Sequence, residues 1–172
     1  MTFSLALSAD QTNAPARNSF IECKTFSDFA QAIGQAPGEV LLTSPQFTVP
    51  IAWDELVVSW NVPPGMDLKI EARSIYPDHA TTYYTLGLWS DDPSRHPRHS
   101  VRGQRDADGT VQSDTLVLNR HGGKAQVRLT LSGSSGADAA RLKFLGLAFC
   151  DSLVQSVARE AHSRRRLTVP VP

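Results

Sequence analysis

The feature that most narrows the folds open to this chain is a two-residue hydrophobic period that recurs in separate segments. Leu68, Ile70 and Ala72 alternate with Lys69, Glu71 and Arg73, while Ala125, Val127, Leu129 and Leu131 alternate with Gln126, Arg128 and Thr130. Successive side chains of an extended strand point to opposite faces, so this spacing predicts strands with one face in a core and the other toward water. Further strand-like stretches, WDELVVSWN from Trp53, TTYYTLGLWS from Thr81 and SDTLVLN from Ser113, alternate with turn residues. A last one, ARLKFLGLAFC from Ala140, is apolar at nearly every position after Lys143 and reads as a central strand covered on both faces. The expectation is an all-β, antiparallel β-sandwich whose core includes Ile70, Leu86, Leu118, Val127, Leu129, Phe144 and Leu147.

Punctuation refines this reading. Pro63-Pro64-Gly65 predicts a tight connection, Asp108-Gly109 a hairpin turn, and Gly122-Gly123 and Gly133 to Gly136 two further turns. Upstream, Phe20 to Cys23 suits a short strand and Asp28 to Ile33 a turn or two of helix ending at Gly34, before Pro37-Gly38 leads into a strand over Glu39 to Thr43. Residues 1–19 read as a loosely attached tail and 20–151 as the sandwich. Residues 152–172 read as a short helix or linker with Leu153, Val154, Val157 and Ala161 on one face, then Arg164 to Arg166 as a solvated hinge and the extended LTVPVP.

Composition excludes several function classes. A chain of 172 residues suits one domain with a real core. Acidic and basic residues balance at 17 each, leaving no field to hold nucleic acid or an anionic membrane. The two cysteines, Cys23 and Cys150, fit buried thiols better than a disulfide framework. The amino terminus lacks a basic n-region and no apolar run approaches spanning length, so a soluble chain is expected, with a cytoplasmic location favoured.

Phe47, Trp53-Asp54-Glu55-Leu56, Ser59-Trp60-Asn61, Tyr83 to Trp89, Arg98 to Val101, Gly103-Gln104, Asp114-Thr115-Leu116 and Leu145 to Phe149 form a set spread over Gly38 to Asp151. As a combination it resembles the amino-terminal β-domain of bacterial bacteriocin-processing-peptidase-like, papain-type cysteine peptidases. The resemblance implies a jelly-roll, galactose-binding-like sandwich that stands before a catalytic domain, joined by a linker like Leu167 to Pro172. It therefore implies an accessory role in recognition or positioning, with a downstream papain-like domain as partner if the chain is truncated. The alternative is a stand-alone carbohydrate-binding or adhesion module.

Catalysis is not expected of this chain. A cysteine peptidase needs a thiolate at a helix amino terminus beside an oriented histidine. Cys23 lies in FIECKTF and Cys150 ends a core strand, and neither starts a helix pattern with a partnered histidine. The densest polar island, Ser90 to Gln104, instead suggests a loop that presents ligand contacts from a rigid sheet. Trp89 offers a face for stacking, Arg98 a forked donor, and His99 and Gln104 further hydrogen bonds, a mixture suited to a glycan or a peptide. Its competitor is internal bracing. Trp53, Trp60 and Trp89 together read either as a sugar platform or as core, with core favoured for Trp60. No cofactor or metal is expected: His96 and His99 straddle Pro97 without a third ligand, and Asp106-Ala107-Asp108-Gly109 opens like a calcium loop but meets Val117 where a closing acid is needed.

Overall fold

A computed structural model describes residues 15–96, 100–133 and 139–155. Nine strands follow in order: β1 (Asn18–Cys23), β2 (Ala30–Ile33), β3 (Val40–Thr43), β4 (Phe47–Asn61), β5 (Asp67–Ile75), β6 (Tyr84–Trp89), β7 (Gly109–Gln112), β8 (Thr115–Ser132) and β9 (Phe144–Cys150). Every ladder between them is antiparallel. The long strand β8 organises the sheet. Along one flank it pairs first with β4 and then with β3; along the other it pairs with β7 over Thr115 to Leu118 and with β5 over Lys124 to Ser132. Outward from these, β9 lies on β4, β1 on β9, β6 on β5 and β2 on β3.

The alternating segments bury their apolar positions as the period requires. Leu68, Ile70 and Ala72 of β5 and Ala125, Val127, Leu129 and Leu131 of β8 are almost wholly withdrawn from water. The period changes phase twice. In β4 the buried side is odd-numbered through Val49 and Trp53, then even-numbered through Leu56 and Val58, with Asp54 and Glu55 both half-buried at the slip. In β8 Leu116 and Leu118 are buried before Gly122-Gly123, and Ala125 to Leu131 after. The two slips coincide, because the β4–β8 register shifts on either side of the Trp53–Gly122 pair. Such bulges re-aim side chains while the ladder continues.

Gly122-Gly123 is therefore not the predicted turn. The strand runs through it because β4 spans the same stretch on its flank, and Gly122 serves to admit the Trp53 ring, which a Cβ there would meet at 3.1 Å. The β7–β8 turn instead sits at Ser113-Asp114, both with positive φ (46° and 65°), the geometry a two-residue hairpin prefers. Asp108-Gly109 does form a turn, closing Arg105 against Thr110.

Other expectations need correction. Residues 28–33 form no helix: Ala30–Ile33 is the exposed edge strand β2, paired with β3 in a hairpin that the Gly34 N–H closes on the Glu39 carbonyl (2.9 Å). So short a segment cannot offset helix nucleation, whereas a preformed β3 gives it partners. Strand β9 buries Leu145, Leu147 and Phe149, but Phe144 is only partly buried and Ala148 is exposed, so it is not covered fully on both faces. Glu71, on the polar face of β5, is 5% exposed because Lys69 and Arg128 close over its carboxylate at 2.9 Å each. The tail residues 1–14, most of the Gly133–Gly136 turn and the helix, hinge and linker read over 156–172 lie outside the described residues. No helix among the described residues is long and apolar enough to cross a membrane.

Candidate functional site

Trp60 ends the inward row of β4 and Trp89 ends β6, and both are half-buried against the core. They share a groove. On one side of it a cavity of about 400 Å³ runs from Val58 and Asn61 to Trp89; on the other, one of about 320 Å³ is bounded by Trp60, Gly87, Trp89, Ser100 and Val101. The approach of the Trp60 ring depends on Gly87, where a Cβ would stand 3.0 Å from the ring carbons. Trp53, by contrast, is fully buried and packs edge-on to Phe149 at 5.0 Å. The fully buried tryptophan is Trp53, whereas Trp60, expected in the core, packs against the core with one side and lines the groove with the other.

The polar island after Trp89 divides into a braced beginning and a braced end. Asp91 accepts the Gly65 N–H (2.8 Å), Asp92 accepts the Ser94 N–H (2.9 Å) and hydroxyl (2.7 Å), and Arg95 pairs with the buried carboxylate of Asp67. At the far end the Gln104 carboxamide clamps the backbone of β6, accepting the Thr85 N–H (2.6 Å) and donating to the Thr85 carbonyl (2.8 Å) and the Val101 carbonyl (3.2 Å). Gln104 thus occupies the free edge of β6, a bracing use that a one-dimensional reading does not reveal. Arg98 and His99 lie outside the described residues, directly before Ser100 on the groove wall.

The Asp106 to Gly109 turn carries no open carboxylate for a calcium ion. Asp106 already accepts hydrogen bonds from the Tyr84 and Thr82 hydroxyls and from the Asp108 and Gly109 N–H groups. Burial pushes its pKa up, yet those donors outweigh burial and hold it below the usual carboxylate range. Asp108 faces His79 Nε2 at 3.1 Å. Side chains that can converge on a cation stand at the other end of the β4–β9 ladder, where Asp54, His121 and Asp151 offer ligand atoms within 4.8 Å of one another. They are far apart in sequence, and no spacing motif announces them.

Both cysteines are free thiols at strand ends. Cys23 is buried at the end of β1, and burial, with the neighbouring Glu22 charge, pushes its pKa up, away from the thiolate a peptidase requires. Cys150 ends β9 opposite Asn18 and Glu55.

The family model described as Peptidase C39 N-terminal domain matches residues 39–149, from the start of β3 to the end of β9. The chain belongs to this family. No curated protein and no solved structure matches it. Within the Peptidase C39 N-terminal domain the matched residues include both groove tryptophans, the Gln104 clamp and the whole of β8, and no catalytic domain is matched in this chain.

Proposed function

We propose that this domain is a non-catalytic recognition or positioning module for a cysteine-peptidase-like protein, a two-layer sandwich that holds an extended peptide in the Trp60–Trp89 groove. The observation that carries the proposal is the pair of half-buried indoles brought together from β4 and β6, with Ser100 and Val101, which follow Arg98 and His99 in the sequence, on the groove wall. Aromatic faces supply contact area at low entropic cost, and forked donors fix the orientation of a polar backbone. Trp89, Arg98 and His99 are then the ligand contacts, with Gln104 holding the loop to β6. The raised pKa of the Cys23 thiol supports a non-catalytic role.

Two assays test this. Peptide and glycan arrays probed with the chain, followed by calorimetry on the best binder, should select peptides, and Trp89→Leu should weaken binding at least tenfold while melting remains a single transition. Selection of glycans would favour a carbohydrate-binding module, and no binding to either array would leave a spacer. In the second, casein cleavage by the chain alone should equal buffer and remain so in Cys23→Ser. Cleavage that this substitution removes would overturn the non-catalytic reading.

A further inference from the structure

The phase slip of β4 does more than admit Trp53. Trp53 pairs with Gly122 and Glu55 with Cys150. Continuing the β4–β9 ladder by one residue sets Asp54 opposite Asp151, and on the other flank the slip in the β4–β8 register after Trp53–Gly122 brings His121, the neighbour of Gly122, to the same place. With Trp53 turned inward, Asp54 turns outward. One cross-strand row thus carries two carboxylates and an imidazole, contributed by β4, β8 and the residue after β9.

The row has the donors and the spacing of a cation site. His121 Nε2 lies 3.1 Å from Asp151 Oδ1, and all three ligand atoms fall within 4.8 Å of one another. An ion bonded to nitrogen and oxygen at about 2.0–2.2 Å draws adjacent ligands to roughly 3.4 Å. His121 and Asp151 stand slightly inside that separation as a hydrogen-bonded pair, so closure asks that an ion replace their shared proton and that the Asp54 carboxylate turn toward them from its Ser152 partner. Among the described residues no Lys or Arg forms an ion pair with either carboxylate, so two like charges share one row with a single imidazole. Outer partners fix the ligands: the Ser152 N–H donates to Asp54 Oδ1 (2.8 Å) and its hydroxyl to Asp54 Oδ2, while the Leu153 N–H donates to Asp151 Oδ1 (3.0 Å).

We propose that Asp54, His121 and Asp151 form a divalent-cation site of mixed oxygen and nitrogen ligands that ties the chain leaving β9 to β4 and β8. Carboxylates with one imidazole suit Zn²⁺ or Mn²⁺ better than Ca²⁺, which takes six to eight oxygens. A bound ion fixes the direction of Ser152 and Leu153, and so the path by which the chain departs the sheet.

The test uses the full chain, stripped with a chelator and titrated with ZnCl₂, MnCl₂ or CaCl₂ by calorimetry and by thermal melting. One Zn²⁺ or Mn²⁺ per chain and a raised melting temperature are expected, with Ca²⁺ at least tenfold weaker. His121→Gln and Asp54→Asn should each weaken Zn²⁺ binding at least tenfold, whereas His79→Gln, at the other His–Asp contact, should not. Cobalt substitution gives an independent readout, a visible absorption band that His121→Gln abolishes. Absence of heat and of any melting shift at 1 mM metal, or Zn²⁺ affinity unchanged in both row variants, overturns the site. So does a preference for Ca²⁺.

Discussion

The adjacent glycines of β8 offer a test of packing in which neighbouring substitutions have opposite signs. A Cβ at Gly122 would stand 2.6 Å from Ser74 Oγ and 3.1–3.2 Å from the Trp53 ring, and both side chains are fully buried. A Cβ at Gly123 meets nothing within 4 Å. Neither glycine has a positive φ, so Ala is not excluded by backbone conformation at either position. Replacing Gly by Ala where the backbone permits stabilises by about 0.4–1 kcal/mol through the unfolded chain, and this is all that Gly123→Ala should show. At Gly122 the same gain meets overpacking, which costs about 1–3 kcal/mol, and with two fully buried neighbours closer than 3.2 Å the upper part of that range applies, a net loss of about 1–2.6 kcal/mol. At about 2–4 °C per kcal/mol for a chain of this size, Gly122→Ala should melt several degrees below the native chain and Gly123→Ala slightly above it. Placing Gly122→Ala in a Ser74→Ala background removes the nearest atom and should recover part of the loss. Calorimetric melts of the four proteins decide the matter. Equal melting temperatures for the two single alanine variants, or a larger fall at Gly123, would refute the claim that Trp53 and Ser74 leave Gly122 no room.

Three further outcomes are expected. Leu129→Ala, at a position with no exposure, should cost about 2–5 kcal/mol in urea denaturation, and Phe144→Ala clearly less, since Phe144 is only partly buried; the reverse order would mean that the faces of β9 are misassigned. Asp106 has a folded pKa held below its unfolded value, so its contribution is complete above the unfolded value near 4 and is lost as pH falls through the folded pKa. Asp106→Asn should accordingly flatten the acid limb of the stability–pH curve, and an unaltered limb would show that the Tyr84 and Thr82 bonds do not hold the ionised form. Arg98→Ala should weaken peptide binding with little change in melting temperature if Arg98 contacts ligand; a clear fall in melting temperature with unchanged affinity would assign it to bracing instead.

What the sequence discloses of this fold depends on whether a ladder runs undisturbed. Residues 68–72 and 125–131 pair without interruption along their shared β5–β8 ladder, so their two-residue period is legible and their burial follows it. The slip at Trp53 to Leu56 is illegible, because it exists to match a long-range partner: Trp53 faces inward only through its pairing with Gly122. The same partner explains the false turn, since Gly-Gly carries a strong local turn signal and only the β4 strand beside it shows that the chain continues. Trp89 and Gln104 were visible as chemistry, but the Gln104 bonds to Thr85 depend on where β6 ends in space. Trp60 follows the buried parity of β4 and packs on the core, but it stands near the end of the strand, so that among the described residues its cover is partial.

The slip also unites the core and the proposed cation site in one physical cause. A strand obeying its period through residues 53–56 would have to place Trp53 and Leu56 on opposite faces, exposing one large apolar side chain. The bulge buries both, and the extra residue it introduces leaves Asp54 and Glu55 half-buried on the outside of the turn in phase. On β8 the matching irregularity holds His121 beside Gly122, and the end of the β9 ladder supplies Asp151 in the same row. Burying Trp53 therefore brings polar side chains of β4, of β8 and of the residue after β9 to one place. A substitution that restores regular alternation in β4 should lose the tryptophan's packing and the Asp54–Ser152 contacts together, whereas removing only the Asp54 carboxylate should leave Trp53 buried.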